Sequence, residues 1–285
     1  MIAKACRSSA QREPKTFYDR QGYVGPFTAF EPGELKRMRI ISLIDSLDKV
    51  CRWGRNRHLD IPAIARICRS ESVISRVRAV MGSDLLLWRS NIFAISARDR
   101  GFEWHQDEYR TLLRCPSGAA QCSVQINFSD STKLNRVTII PGTHRWTDDE
   151  LRRRGYDMRL GSDGGQYGTP QWTVPTGIES LDMPMQAGQF YVFHPRLLHA
   201  SVRARWFRGQ VGEGSWVPRL RQRLHTAAET LLRREAMRYS IALRIATPNT
   251  MVLAGAFAES PARAGVVLLA GKDTAGINKL GKWAA

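Results

Sequence analysis

The stretch FEWHQDEYR holds two side chains with clear chemical potential, His105 and Asp107. In an extended segment, side chains two positions apart point to the same side, because strand side chains alternate between faces. An imidazole and a carboxylate on one face can supply two ligands to a metal ion. A second histidine would complete a set of two histidines and one carboxylate, which suits non-haem Fe(II) and leaves positions open for a co-substrate and dioxygen.

The chain contains six histidines, so the third ligand has five candidates: His58, His144, His194, His199 and His225. The first of these lies in an arginine-rich stretch, the second follows a PGT turn and the last falls in a predicted insert. The other two lie near the end of the predicted strand GQFYVFHPRLLHAS. A barrel brings such distant strand ends together, which makes His199 a natural partner for His105.

Two amphipathic helices are predicted before Gly82, the glycine that stops the second one. The first spans Glu34 to Val50, with an inner stripe of Leu35, Met38, Ile41, Ile44 and Leu47. The second spans Ile61 to Met81, with inner positions Ile64, Ile67, Ile74, Val77 and Met81.

After Gly82 the pattern of apolar residues changes to short apolar or alternating runs, which predict strands. The runs are DLLLWRSNIFAIS, CSVQINFS, RVTIIPG, GQFYVFHP and RYSIALRIA. Helices followed by separated strands favour an antiparallel sandwich or barrel covered by N-terminal helices. We therefore expect one domain over 1–285. It would have a mostly helical part (1–82), a β core (83–250) with inserts at about 146–178 and 202–237, and a C-terminal segment (251–285).

Four segments follow one another along the chain: WHQD, then VQINFSDST with VTIIPGTHRW, then AGQFYVFHPRLLHAS, then RYSIALR. In the content and order of these segments the chain resembles the phytanoyl-CoA dioxygenase (PhyH) family over residues 84–246. Among that family it most resembles bacterial members, such as ectoine hydroxylase and natural-product hydroxylases. The resemblance implies a mainly β fold, a double-stranded β-helix (a jelly-roll, cupin-like barrel). It also implies dependence on Fe(II), 2-oxoglutarate and O2.

Carried over to this chain, the resemblance implies His105, Asp107 and His199 as iron ligands. It implies that Arg238 grips the distal carboxylate of 2-oxoglutarate, and a planar guanidinium can do so through two parallel hydrogen bonds. Arg244, six residues further along the same predicted strand, would face the same side and is the alternative candidate for this role. The spacing departs from the family pattern, because the 202–237 insert separates Arg238 from the last predicted ligand.

Three further residues are expected around the co-substrate. Ser240 lies two residues after Arg238 and adds a hydroxyl donor. The resemblance implies an aromatic wall at Phe102 and an amide contact at Asn91, for which core packing and a strand-edge amide are the alternatives. The presence of Asp107, where some relatives have Gly or Ala, disfavours halogenation.

Composition limits the function classes. A signal sequence and an apolar run long enough to span a membrane are both missing from the chain, which predicts a cytoplasmic protein. The five cysteines lack CxxC spacing, so a structural zinc site or disulfide framework is not expected. The net charge of +17 suggests an acidic partner, such as an anionic or carrier-linked substrate, but no nucleic-acid-binding motif accompanies it.

The sequence therefore predicts a 2-oxoglutarate-dependent non-haem iron dioxygenase. It would hydroxylate an unactivated C–H bond of a small molecule in natural-product metabolism and release CO2 and succinate. The arginine-rich 202–237 insert is expected to act as a lid or docking surface, or simply as a solvated basic helix. Two alternatives stay open: a cupin-type metal isomerase or dioxygenase that does not use 2-oxoglutarate, and a catalytically inert basic binding protein.

Overall fold

The computed structural model describes residues 13–50, 53–96, 101–132, 135–159, 169–201, 237–258 and 261–285. In these ranges the α-helices are α1 Pro14–Gln21, α2 Pro32–Arg37, α3 Ile40–Ser46, α4 Pro62–Cys68, α5 Glu71–Met81 and α6 Asp148–Arg153. The strands are β1 Tyr23–Thr28, β2 Leu85–Ile95, β3 Leu113–Arg114, β4 Gln121–Asn127, β5 Val137–Ile139, β6 Asp157–Arg159, β7 Gln171–Thr173, β8 Leu181–Met183, β9 Gln189–Phe193, β10 His199–Ser201, β11 Arg238–Ala246, β12 Met251–Val252 and β13 Val267–Ala270.

The sheets are antiparallel. Six strands form one sheet in the order β1-β9-β4-β11-β2-β13, and three form a second in the order β10-β5-β8. Two small pairs, β12-β3 and β6-β7, complete the described strands. Each of the five predicted runs contains a strand, namely β2, β4, β5, β9 and β11. The prediction of a mainly β protein with antiparallel sheets and N-terminal helices is confirmed.

One core joins the sheets to the helices. Apolar side chains from the six-stranded sheet and from β5 and β8 belong to a single buried cluster with those of α1 to α5. The helices are therefore held by their apolar faces, and the burial of these faces is what stabilises such short segments.

The prediction of one continuous helix from Glu34 to Val50 is wrong. Two shorter helices, α2 and α3, occupy this region, because Arg39 between them adopts the left-handed conformation with φ of 50°. This break changes the helical register, so Ile40 and Ile44 are fully buried, whereas Ile41, predicted to face inward, is 36% exposed. A regular three-residue spacing could not reveal the break.

The second predicted helix is likewise divided, into α4 and α5, at Arg69 and Ser70. Four of its five predicted inner positions, Ile64, Ile67, Ile74 and Val77, are buried, and the fifth, Met81, is partly buried against the same core. The helix ends before Gly82, whose φ is 97°, as predicted.

Both ends of the chain contribute to the main sheet. β1 comes from the part predicted to be mostly helical and pairs with β9, and β13 comes from the C-terminal segment and pairs with β2. The predicted 146–178 loop contains α6 and the pair β6-β7 in its described residues. The 202–236 part of the other insert lies outside the described residues. Among the helices described, none is long and apolar enough to span a membrane.

Candidate metal centre

The backbone brings the predicted ligands together. The amide of His105 donates to the carbonyl of His199 at 3.0 Å, and the amide of His199 donates back to the carbonyl of His105 at 3.1 Å. The amide of Asp107 donates to the carbonyl of Pro195 at 2.7 Å. One potential ligand atom from each of the three side chains lies within 4.8 Å of the others, so the geometry suits a shared metal ion.

Both imidazoles present the same nitrogen to the carboxylate. Nδ1 of His105 lies 2.7 Å from the carbonyl of Glu103, and Nδ1 of His199 lies 2.9 Å from the carbonyl of Leu197. Because a carbonyl can only accept a hydrogen bond, Nδ1 is the donor in each contact, and Nε2 is the nitrogen directed toward the carboxylate. These Nε2 atoms lie 3.9 Å and 3.5 Å from the Asp107 carboxylate.

The Asp107 carboxylate is buried, with 3% of the residue exposed. Burial by itself raises its pKa, but Arg244 and then the neighbouring histidines lower the pKa, so it lies below its ordinary value. Arg244 Nη2 lies 2.8 Å from Oδ2, and Ser123 Oγ donates to the same oxygen at 3.3 Å. The side chain is thus an ionised, oriented carboxylate.

Burial lowers the pKa of His105 to about 4, and the nearby His199 adds to the decrease. The imidazole of His105 is therefore neutral at neutral pH. A neutral imidazole beside an ionised carboxylate is the protonation state that metal coordination requires. The donor set consequently fits a divalent cation in charge as well as in position.

Gln106, between the two adjacent ligands, points the other way and anchors the segment. Its Nε2 donates to the carbonyl of Arg196 at 2.7 Å, and Trp172 Nε1 donates to its Oε1 at 3.2 Å. Its backbone amide donates to the carbonyl of Pro170 at 3.0 Å. These bonds hold the segment that contains His105 and Asp107 in place.

A cavity of about 420 Å³ opens beside the three side chains. Its walls include residues of β2, β4, β9, β10 and β11, and both Arg238 and Arg244 line it. Arg238 is 3% exposed, and its Nη2 donates to Ser201 Oγ at 3.4 Å. Its Nε has no hydrogen-bond partner in the described part of the chain. Burial lowers the pKa of this guanidinium, as expected for an enclosed cation.

The two rival arginines differ in their surroundings. Arg244 forms an ion pair with Asp107, whereas Arg238 makes a long side-chain contact with Ser201 in the described part of the chain. Ser201 and Arg238 border the 202–237 insert, so the strands on either side of the insert still meet. The unusual spacing therefore does not separate Arg238 from the cavity.

The remaining predicted co-substrate residues are also near the cavity. Asn91 and Phe102 line it, and Phe102, 44% exposed, packs edge-on against Phe93 with ring centroids 5.7 Å apart. Ser240 is fully buried on the same face of β11 as Arg238, and it is not one of the lining residues. Its Oγ lacks a hydrogen-bond partner within the described ranges.

Several residues at the site were missed from the sequence: Tyr109, Ser123, Gln125, Tyr191 and Ser201. Two of them carry a sequence signal, because Ser123 and Gln125 place polar side chains at alternate positions of an apolar strand. In a strand with period two, that pattern indicates a polar inner face. The others have no local signal.

Three other histidines lie outside the centre. His58 is buried, with Nδ1 2.8 Å from Ser90 Oγ, and packs against Trp283. His144 and His194 pack against each other, with ring centroids 5.1 Å apart. His225 lies outside the described residues. Among the described residues, only the predicted triad forms a metal-binding cluster of histidine, cysteine or acidic side chains.

Comparison with solved structures shows similar folds. CytC3 with Fe(II) and alpha-ketoglutarate matches with a TM-score of 0.63 and 21% identity, covering 96% of this chain and 93% of that one. The epimerase SnoN in complex with Fe3+, alpha ketoglutarate and nogalamycin RO gives 0.58 and 14%, covering 99% and 95%. HygX from Streptomyces hygroscopicus, with nickel and 2-oxoglutarate bound, gives 0.51 and 17%, covering 82% and 86%. A search of curated proteins finds no match.

Antiparallel sheets that bring two imidazoles and one carboxylate together beside a cavity define a class, the metal-dependent enzymes with a two-histidine, one-carboxylate centre. The chain belongs to the phytanoyl-CoA dioxygenase (PhyH) family, whose model matches residues 53–205, more than half of its length. It is thus a 2-oxoglutarate-dependent non-haem iron oxygenase, as predicted. The match ends before β11, so the roles of Arg238 and Arg244 depend on geometry.

Proposed function

We propose that the protein hydroxylates an unactivated C–H bond of a small-molecule natural product, with CO2 and succinate as co-products. The observation that carries this proposal is the convergence of His105, Asp107 and His199 within 4.8 Å at a cavity lined by Arg238. Bound Fe(II), together with 2-oxoglutarate, would activate O2 to a species able to oxidise such a bond.

In this proposal Nε2 of His105, Nε2 of His199 and the Asp107 carboxylate hold the iron. Their geometry supports these roles, because each Nδ1 is already committed to a backbone carbonyl. Such contacts fix the ring orientation and raise the basicity of the nitrogen that binds the metal. The protein therefore holds its ligands ready before the metal arrives.

Arg238 is the proposed anchor of the distal carboxylate of 2-oxoglutarate, with Ser240 as an added donor. Unpaired buried donors support this assignment: Arg238 Nε, Ser240 Oγ and Gln125 Nε2 have no partner among the described residues. Leaving such groups buried and unpaired costs free energy, so a ligand with several acceptor oxygens would be stabilised there. A dicarboxylate meets this requirement.

Asn91 and Phe102 are proposed to complete the co-substrate pocket. The ring of Phe102 lies 5.9 Å from that of His105, between centroids, so it can shield the metal side of the cavity from water. Water exclusion strengthens the electrostatic contacts that hold the reactants. Asn91 sits on β2 opposite Ala242 of β11, on the side of the strand that lines the cavity.

The two main sheets are proposed to form a double-stranded β-helix within a single oxygenase domain, residues 1–285. The shared core of both sheets supports this architecture. It explains how β10, at the end of one sheet, and the His105 segment come to face β11 and β4 of the other.

The substrate is proposed to be anionic. Four of the charged residues lining the cavity are arginines and two are acids: Arg55, Arg89, Arg238, Arg244, Glu103 and Asp107. This excess of arginines over acids gives the cavity wall a positive balance, which would attract an anionic substrate. If so, its KM should rise with ionic strength more than that of a neutral analogue. Equal salt dependence would remove this part of the proposal.

The function is tested by anaerobic addition of Fe(II) and then 2-oxoglutarate, with the visible charge-transfer absorption as the readout. A screen of small molecules for oxygen-dependent succinate then identifies the substrate. Metal binding without 2-oxoglutarate-dependent absorption or succinate would favour a cupin-type enzyme that uses no 2-oxoglutarate. No metal binding at all would favour an inert binding protein.

A further inference from the structure

The Asp107 carboxylate is held unevenly. Its Oδ2 lies 2.8 Å from Arg244 Nη2 and accepts a hydrogen bond from Ser123 Oγ at 3.3 Å. Its Oδ1 lies 3.9 Å from Nε2 of His105, and Oδ2 also lies 3.5 Å from Nε2 of His199, so each oxygen faces one of the two imidazoles. An ionised carboxylate offers about two lone-pair sites on each oxygen, so two donors occupy those of Oδ2.

Both donors come from the main sheet. Arg244 on β11 and Ser123 on β4 are directly paired across neighbouring strands, so their side chains lie side by side on one face. Asp107 lies in a separate segment that is tied to Pro195 by its backbone. Two neighbouring strands of the main sheet thus hold Oδ2 of Asp107, although Asp107 itself belongs to no strand of that sheet.

We propose that Arg244 and Ser123 are positioning residues that fix the orientation of the Asp107 carboxylate, so that only one of its oxygens coordinates the metal. This inference rests on the proposed metal centre. One-oxygen coordination would keep three positions open, two for the 2-oxo acid and one for O2. If the carboxylate could turn, both of its oxygens could bind and one of those positions would be lost.

The buried guanidinium suits this task better than a smaller donor. Arg244 is 6% exposed, and its Nη2 forms an ion pair of 2.8 Å with Asp107 Oδ2, which is buried as well. Its planar shape fixes the direction from which Oδ2 is gripped, which a lysine ammonium cannot do. Ser123 adds a second contact without charge.

The first measurement uses Co(II), whose visible absorption reports the number and arrangement of its ligands, in the protein without 2-oxo acid. We expect Arg244→Met to change the Co(II) spectrum, Ser123→Ala to change it less, and Arg244→Lys to fall between methionine and wild type. Arg238→Met is the matched control, a buried arginine on the same strand face, and should leave the spectrum unchanged.

The second measurement compares 2-oxoglutarate with a monocarboxylic 2-oxo acid, which can chelate Fe(II) but cannot reach a distal anchor. We expect Arg244→Met to weaken binding of both acids by a similar factor, about 10–100-fold, the range typical of residues that orient metal ligands. Arg238→Met should weaken 2-oxoglutarate alone, because only that ligand has a second carboxylate.

Each outcome decides the matter. If Arg244→Met keeps the wild-type Co(II) spectrum, the positioning role is wrong. If the variant loses affinity only for 2-oxoglutarate, the role is also wrong and the residue is a co-substrate anchor. If wild-type protein binds no Co(II), the proposed metal centre itself is wrong. Far-UV circular dichroism of each variant separates these results from loss of folding.

Discussion

His105 and His199, far apart in the sequence, are directly opposite each other in an antiparallel backbone pair that exchanges two hydrogen bonds, of 3.0 and 3.1 Å. Their ring centroids are 4.2 Å apart. Because both imidazoles project from the same short bridge, their separation depends on backbone bonds and not on flexible side chains. A two-histidine centre built in this way is ordered before any ligand binds.

Replacing one proposed ligand should abolish turnover and weaken metal binding. His105→Ala, Asp107→Ala and His199→Ala each remove one of the three protein donors that hold the Fe(II). Anaerobic Fe(II) titration measures the loss. His144→Gln, a histidine variant outside the centre, should bind iron like wild type. Full activity of His105→Ala would show that the assignment is wrong.

Arg238→Lys should raise the KM for 2-oxoglutarate about 10–100-fold, because a charge-assisted hydrogen bond contributes roughly 1.5–3 kcal/mol and lysine cannot form the paired contact. Steady-state kinetics with varied 2-oxoglutarate provide the value. Arg57→Lys changes an arginine that pairs with Asp60 away from the cavity and is the control. An unchanged KM for Arg238→Lys would contradict the anchor.

Mn(II) should stabilise the protein, and a chelator should reverse the effect. A ligand present at 100 times its Kd stabilises the folded state by about 2.7 kcal/mol if it does not bind the unfolded chain. We expect a higher Tm in thermal denaturation with Mn(II) than with EDTA. Asp107→Asn should reduce this difference strongly, and a variant that kept the full difference would exclude the carboxylate as a ligand.

Acid should destabilise the protein through its buried histidines outside the centre. Burial lowers the pKa of His58 to about 3, so the folded protein keeps this imidazole neutral while the unfolded chain protonates near 6.5. The unfolded state then binds more protons between these values, and stability falls as pH falls below 6.5, by up to about 1.4 kcal/mol per pH unit for one histidine.

Urea denaturation of wild type and His58→Asn, at several values between pH 7 and pH 5, measures this slope. The variant loses the hydrogen bond to Ser90 and is less stable at every pH, so the slope and not the absolute stability is the readout. We expect a shallower slope for the variant. Identical slopes would mean that His58 also becomes protonated in the folded state.

Gln106→Ala should lower both stability and metal affinity. It leaves Trp172 Nε1 and the carbonyl of Arg196 without their partner, and each such buried group costs about 1–3 kcal/mol. It also loosens the segment between two proposed ligands. Thermal denaturation and Mn(II) titration measure the two effects. Gln186→Ala, at an exposed glutamine, should change neither.

Much of this molecule follows from local pattern. The spacing of His105 and Asp107 places them on one side of an extended segment, and alternating runs predict β2, β4, β5, β9 and β11. These features depend only on backbone periodicity, which neighbouring residues set. That periodicity does not predict the left-handed conformation of Arg39, which divides the first predicted helix. It does not predict the pairing of β1 with β9 either.

Only the tertiary structure distinguishes the surroundings of Arg238 from those of Arg244. Both lie on the same face of β11, so their positions in the sequence are equivalent. What distinguishes them is a contact across the fold, since Asp107 reaches Arg244 and not Arg238. In the same way, residue types alone left five histidines that could join His105; the family resemblance implied His199, and the backbone pairing of distant segments brings that residue to His105. The sequence by itself determined which kinds of side chain were available, and long-range packing determined which of them meet.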